Sequence, residues 1–144
     1  MMVKCSKKDK RHSVVKISSP PVMVTFAVFF FQKYGSFINF STIAVALALK
    51  GESVYAASKA GVESFSRTFA REMADFNIRV NCIAPGPIRT DLLKGITDTQ
   101  IEKITSQQII PEQFKKSDVC DLIELLIDER TRSLSGQVLN IGGV

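Results

Sequence analysis

The sequence predicts an α/β fold built around a parallel sheet, and three observations support this prediction. From Gly35 onward, short apolar stretches alternate with longer stretches of helical periodicity. Strands that are apolar on both faces are typical of parallel sheets that helices cover on both sides. The chain has 144 residues, of which 45% are hydrophobic. That size and composition suit one domain with a buried core and exclude collagen-like and disordered proteins.

The first strand and the long helix after it are predicted from side-chain pattern. The stretch Phe37–Ile43 is rich in β-forming residues, and a loop through Gly51 follows it. A helix is then predicted from Ser53 to about Phe76, because apolar residues recur at steps of three and four and form one core-facing stripe. The other flank of this helix carries small residues, which allow a second helix or a ligand to approach closely.

The remaining elements are bounded by turn and capping signals. A second strand, Ile78–Ala84, must end where two prolines follow it. Thr97 and Gln100 have the spacing of a capping box, which predicts a short helix to about Ser106. A further helix is predicted from Ser117, and the turn after it leads to a last strand, Gln137–Ile141.

The N-terminal region differs in character from the rest of the chain. Residues 1–19 carry six basic side chains and one acidic one, which accounts for the whole net charge of +5. We therefore expect residues 1–21 to form a basic, disordered tail, with no nucleic-acid partner. Residues 22–34 form an apolar segment of unclear role. Its ten-residue run Val22–Phe31 is too short to span a bilayer, and no membrane partner is expected.

The cysteines exclude two kinds of site. Cys5, Cys82 and Cys120 lie far apart, without a Cys-x-x-Cys spacing, and the chain has a single histidine. Neither a disulfide framework nor a zinc site is expected from such a set, so the sequence predicts no bound metal. A reducing, cytoplasmic compartment is the simplest expectation.

Tyr55 and Lys59 form the most specific chemical pair in the sequence. They lie four residues apart at the start of the predicted long helix, so both side chains leave the same face. A neighbouring ammonium group and the positive end of a helix both favour the ionised form of a phenol. The spacing therefore suits a tyrosine that transfers protons, although a tyrosine and a lysine also occur at this spacing by chance on many helices.

Four linked motifs give this pair its context. They are GSFINFST at 35–42, YAASKAG at 55–61, RVNCIAPGPIRT at 79–90 and SGQVLNIGG at 135–143. In order and spacing they resemble the short-chain dehydrogenase/reductase family, and most of all its 3-oxoacyl-[acyl-carrier-protein] reductase branch. The resemblance implies that residues 35–144 are the C-terminal half of a Rossmann-like oxidoreductase domain.

The resemblance also implies roles for individual residues. Tyr55 would be the catalytic acid/base, and Lys59 would promote ionisation of the phenol and bind the nicotinamide ribose of NAD or NADP. The loop after the second strand would line the nicotinamide, with two of its members at the carboxamide. The expected cofactor-binding residues are Tyr55, Lys59, Pro85, Gly86, Ile88 and Thr90.

Two neighbouring residues are candidates for the hydroxyl that binds the substrate carbonyl. The family has a serine 13 residues before the tyrosine, and Thr42 occupies that position here. Threonine keeps the hydroxyl but adds a methyl group and a stiffer side chain. Ser41 would point to the opposite face of a strand, unless a bulge or an insertion reverses it. We expect Thr42 to take the catalytic role.

The family's N-terminal motifs do not occur in this sequence. No glycine-rich turn of the kind that binds pyrophosphate is found, and the first glycine is Gly35. We therefore expect a partial, doubly wound parallel sheet that lacks the N-terminal dinucleotide-binding half, and a truncated or misjoined reading frame. The first strand would then have an open edge, which the Val22–Phe31 run or a second copy of the chain would cover.

Two functions follow from the resemblance. The first is NAD(P)-dependent reduction of a small carbonyl substrate, or oxidation of the alcohol, by hydride transfer, with activity of this chain alone in doubt. The alternative is a catalytically silent subunit that associates with full-length family members. Homo-oligomers are expected in either case, because helices of this kind usually join family members together.

Overall fold

The computed structural model describes residues 34–88 and 95–144. The basic tail, the Val22–Phe31 run and Thr90 lie outside these ranges. In chain order, the described elements are β1 (Gly35–Phe40), α1 (Ala44–Leu47), α2 (Ser53–Met73), β2 (Ile78–Ala84), α3 (Asp98–Thr105), α4 (Lys116–Ile127) and β3 (Val138–Asn140). Single turns of 3-10 helix follow α2 and α4, at Ala74–Phe76 and Glu129–Thr131.

The three strands form one parallel sheet with β2 in the middle. Gly35 pairs with Ile78 at one end of the β1–β2 ladder and Phe40 pairs with Ile83 at the other. All residues of β2 except Arg79 are buried. This confirms the predicted α/β fold with a parallel sheet. In the described ranges, β1 pairs with β2 alone and leaves its other edge unpaired.

Helices lie on both faces of the sheet, as a doubly wound arrangement requires. Phe37 of β1 contacts Phe69 of α2 edge-on, with ring centroids 5.6 Å apart. Its neighbour Ser36 points the other way, and its hydroxyl donates to the carbonyl of Leu126 at the end of α4. Since successive strand residues face opposite sides, α2 and α4 cover opposite faces.

The core on the α2 side is built from the stripe that the sequence predicts. Phe69, Ala70 and Met73 pack against Ile78 and Val80 of β2. Burial of such apolar side chains is the main force that holds this helix on the sheet. The stripe does not bury Phe65, which stacks on Phe69 but remains 50% exposed.

Both predicted boundaries of the first strand are wrong, and the strand begins at Gly35 and not at Phe37. The strand ends at Phe40 and not at Ile43, because the chain turns at Thr42, whose Oγ1 and carbonyl accept from the backbone N–H groups of Ala44 and Val45. The expected loop contains the short helix α1, since Ile43 already has helical dihedral angles. The last strand is also shorter than expected, by one residue at each end. The long helix and the second strand match their predicted ranges.

Candidate active site

The segments that leave the strands meet at the carboxyl edge of the sheet. Ile43, after β1, donates its backbone N–H to the carbonyl of Pro85, after β2, at 3.2 Å. Ile141, after β3, donates to the carbonyl of Ala84 at 3.0 Å. Ligands of open α/β sheets bind at this edge. The predicted site residues that the structure describes all belong to these segments or to the N-terminal part of α2.

Lys59 reaches from α2 to the end of β1. Its Nζ donates to the carbonyl oxygen of Phe40 at 3.0 Å. An ammonium group has three donors, so two remain for other acceptors. The bond places the positive charge of Lys59 beside the last residue of β1, two positions before Thr42.

Tyr55 lies in the first turn of α2 and its side chain is 46% exposed. Within the described ranges its hydroxyl has no hydrogen-bond partner, while its backbone carbonyl accepts from the Ser58 hydroxyl at 2.7 Å. The backbone N–H groups of a first helical turn favour negative charge nearby. The phenol is thus accessible to a ligand, on the same helix as Lys59 and one turn before it.

The two neighbouring hydroxyls of Ser41 and Thr42 have different environments. Ser41 is only 4% exposed, and its Oγ donates to Glu63 Oε1 of α2 at 2.7 Å. Thr42 is half-buried, and its Oγ1 accepts from the backbone N–H of Ala44 at 3.3 Å. The Ser41 proton is therefore engaged inside the structure, whereas the Thr42 hydroxyl keeps its own proton for donation.

Glu63 is a member of this cluster that the sequence analysis missed. It follows Lys59 by four residues, as Lys59 follows Tyr55, so the three share one face of α2. Its side chain is 12% exposed and its Oε2 lies 3.7 Å from Arg67, which is 56% exposed. The repeated spacing of 55, 59 and 63 was a signal for it, but only the fold shows that Ser41 is its partner.

The loop after β2 packs against a buried glutamine. A Cβ at Gly86 would collide with Oε1 of Gln108, and one at Gly142 would lie 3.0 Å from that atom. The Nε2 of Gln108 donates to the carbonyls of Ile110 and Glu112, at 3.3 and 3.0 Å. Oε1 itself is buried and has no hydrogen-bond partner among the described residues. Nothing in the sequence pattern indicates this role for Gln108.

The other expected loop residues differ in their exposure. Pro85 and Gly86 are half-buried, whereas the Ile88 side chain is 6% exposed and belongs to the core. Close by, Cys82 is fully buried, and burial raises the pKa of its thiol. A thiol in that state is a poor nucleophile, so Cys82 serves packing.

Over residues 34–88 and 95–144, no three side chains of histidine, cysteine, aspartate or glutamate lie together where they could hold a metal ion. Over the same ranges, no helix combines the length and the apolar character needed to cross a bilayer.

Comparison with known proteins gives a consistent result. Residues 4–143 match the family model described as enoyl-(acyl carrier protein) reductase. The chain is 35% identical over 112 residues to the 3-oxoacyl-[acyl-carrier-protein] reductase FabG of Thermotoga maritima, covering 78% of this chain and 46% of that protein. The corresponding protein of Staphylococcus epidermidis is 30% identical over the same length. The chain thus spans about half the length of these curated relatives.

Solved structures agree with the sequence comparison. A 7α-hydroxysteroid dehydrogenase complexed with NADH and 7-oxo glycochenodeoxycholic acid superimposes with a TM-score of 0.72 and 29% identity, over 80% of this chain and 46% of that one. A short-chain type dehydrogenase/reductase from Mycobacterium ulcerans gives 0.72 and 30%, over 80% of this chain and 43% of that one. The sheet, the motifs at its carboxyl edge and the family match therefore agree: the chain belongs to the short-chain dehydrogenase/reductase family.

Proposed function

We propose that this chain carries the catalytic half of an NAD(P)-dependent oxidoreductase that interconverts a small carbonyl compound and its alcohol. The supporting observation is the arrangement on α2 and at the end of β1. Lys59 bonds to the Phe40 carbonyl, Thr42 lies two residues beyond it, and Tyr55 is exposed one helical turn before Lys59. The names of the FabG relatives suggest a 3-oxoacyl thioester as the carbonyl substrate.

The chemistry of the three side chains follows from their donors. Tyr55 would donate its proton to the carbonyl oxygen as that atom gains negative charge, or remove it from the alcohol in reverse. Thr42 would donate a hydrogen bond to the same oxygen, since its proton is not used by the bond to Ala44. Lys59 would place a positive charge beside the phenol and so stabilise the phenolate that remains.

The residues at this edge fit the nicotinamide end of a cofactor. NAD or NADP would supply or accept the hydride when bound. Lys59 has two free donors for the ribose hydroxyls, and Pro85 and Gly86 on the loop after β2 remain partly exposed. With Thr90 and Ile88, these residues remain the proposed cofactor contacts. No residue of the sequence matches the family's glycine-rich turn, so the pyrophosphate end is not assigned.

The phenol of Tyr55 can be tested against a matched control, because the chain has two tyrosines. We expect saturable binding of NADH or NADPH by fluorescence, and reduction of an acetoacetyl thioester by the purified chain. Tyr55→Phe should lower turnover by about 10²- to 10⁴-fold while binding the cofactor, since general acid catalysis contributes that much. Tyr34→Phe, a second loss of one hydroxyl, should leave turnover unchanged. Equal losses in both variants would contradict the proposed role.

A silent interaction subunit is the second candidate, and the surface of α2 favours it. Val54 is 83% exposed and Phe65 50% exposed, with exposed Ala57 and Gly61 between them on the same face. Such a face could join a second copy or a full-length relative. Absence of cofactor binding, together with co-purification of a complete homologue, would select this candidate. A cytoplasmic location remains a prediction in both cases.

A further inference from the structure

We propose that Glu63 is a positioning residue of the site: it holds the turn Ser41–Thr42 against α2 and so sets the place of the Thr42 hydroxyl relative to Tyr55. This inference rests on the proposed oxidoreductase function and adds a residue to it. Glu63 does not itself contact the reacting atoms. It acts through Ser41, the residue before Thr42.

The hydrogen bond between Ser41 and Glu63 belongs to a strong class and is shielded from water. Its Oγ–Oε1 distance is 2.7 Å, Ser41 is 4% exposed and the Glu63 side chain is 12% exposed. Bonds to an ionised acceptor are stronger than those between neutral groups. The competing ion pair with Arg67 is long, at 3.7 Å, and the Arg67 side chain is 56% exposed, so this pair contributes little. Ser41 is therefore the main partner of this carboxylate.

The position of this bond explains why it matters for Thr42. Four side-chain hydrogen bonds join α2 to the end of β1: Asn39 to Ser66, Lys59 to Phe40, Ser41 to Glu63 at 2.7 Å, and a longer one from Ser41 to the Lys59 carbonyl at 3.4 Å. The two bonds of Ser41 are adjacent to Thr42, and the bond to Glu63 is the shorter of them. Beyond Phe40 the backbone stays joined to the β2 side by the bonds from the Ser41 N–H to the Ile83 carbonyl and from the Ile43 N–H to the Pro85 carbonyl. The Ser41–Glu63 bond adds a connection between this turn and α2.

Ligand binding increases the importance of Glu63. In the proposed complex, the Lys59 ammonium group donates to the ribose hydroxyls as well as to the Phe40 carbonyl. The ribose therefore competes with Phe40 for the same donor group. The Ser41–Glu63 bond involves neither the proposed substrate nor the cofactor, so ligand binding does not compete for it. A displacement of about 1 Å at a reacting group can cost roughly 100-fold in rate. A fixed turn is therefore a requirement of catalysis by Thr42.

The test uses the full chain and four variants. Glu63→Leu removes the acceptor at similar volume, Glu63→Gln keeps an acceptor oxygen, and Ser41→Ala removes the donor. Glu72→Leu is the matched control, because Glu72 is an exposed carboxylate on the same helix. We expect Glu63→Leu and Ser41→Ala to lower kcat by about 10- to 100-fold with the cofactor KM within about twofold. Glu63→Gln should restore most of kcat, and Glu72→Leu should leave it unchanged.

Hydrogen exchange measures the same effect without turnover. In Glu63→Leu the backbone amides of residues 41–47 should exchange at least about tenfold faster than in the wild type, and Glu63→Gln should stay close to the wild type. If Glu63→Leu fails to fold, Ser41→Ala removes the same bond and must give the same results. Wild-type levels of both kcat and exchange in Glu63→Leu would overturn the inference.

Failure of the proposed function gives a different result. In that case the wild-type chain binds neither NADH nor NADPH, and it does not reduce the thioester. The exchange measurement then decides alone. Faster exchange confined to residues 41–47 supports Glu63 as the residue that holds the turn, and unchanged exchange overturns it.

Discussion

The close approach of Gly86 to Gln108 shows how a single residue shapes the edge of the site. An added Cβ at Gly86 would meet Gln108 Oε1, and it would also lie 3.2 Å from Gln108 Cδ and 3.3 Å from Ile43 Cδ1. The glutamine cannot simply turn away, because its Nε2 is held by two backbone carbonyls. Packing therefore requires a glycine at position 86, just after the strand ends.

Gly86→Ala should lower the free energy of unfolding by about 1–3 kcal/mol, since overpacking a filled site costs that much. Combining it with Gln108→Ala should recover part of the loss, because the second change removes the colliding atom. The matched control is Gly61→Ala on α2, where nothing lies within 4 Å of an added Cβ. It should stabilise the helix by about 0.5–1 kcal/mol. Urea unfolding of Gly86→Ala, Gln108→Ala, the double variant and Gly61→Ala measures the four values, and additive losses at 86 and 108 would refute the collision.

At the scale of elements, α3 has the start that its sequence predicts. Thr97 Oγ1 accepts from the backbone N–H of Gln100 at 3.3 Å, and Gln100 Oε1 accepts from the backbone N–H of Thr97 at 2.9 Å. This reciprocal pair confirms the predicted capping box. The helix then buries Ile101 and Thr105 against the rest of the domain. Loss of the cap should therefore lower the free energy of unfolding of the whole domain.

Thr97→Ala should destabilise the chain by about 1 kcal/mol, because the backbone N–H of Gln100 loses its acceptor, Thr97 Oγ1. Thr97→Ser keeps the hydroxyl and should cost only a few tenths of a kcal/mol. Both values can be read from urea denaturation followed by circular dichroism. The interpretation fails if the alanine and serine variants unfold at the same urea concentration.

At the scale of the whole molecule, the exposed face of α2 is the surface that we expect to join copies of the chain. Val54 and Phe65 lie on it with small residues between them, and apolar patches of this kind usually mark contacts between proteins. Helices with small residues can also approach one another closely. The expected homo-oligomer would therefore use this face.

Sedimentation of the wild-type chain should show association that increases with concentration. Val54→Lys and Phe65→Lys together should abolish it, because burial of two charged side chains at an interface is costly. The control is Ile109→Lys, at an equally exposed apolar position outside α2, and it should associate as the wild type does. Association that only Ile109→Lys weakens would place the contact elsewhere.

Local sequence patterns were sufficient to predict much of the secondary structure. The order of strands and helices, the range of α2 and the cap of α3 follow from periodicity and from capping residues, which act within a few positions of the chain. The four motifs were sufficient for the family, which the comparisons confirm. The boundary errors at β1 and β3 arose because a strand ends where its pairing ends, and pairing is not a local property.

The amino-acid sequence by itself determined the α/β class, the Tyr55–Lys59 pair and the family of the chain. Only the tertiary structure decided that Lys59 binds the Phe40 carbonyl, that the Ser41 hydroxyl belongs to Glu63, and that Gln108 fills the space beside Gly86. Each of these contacts joins residues far apart in the chain. Spacing along the sequence reports which side chains share a face, whereas packing of the helices on the sheet determines which faces meet.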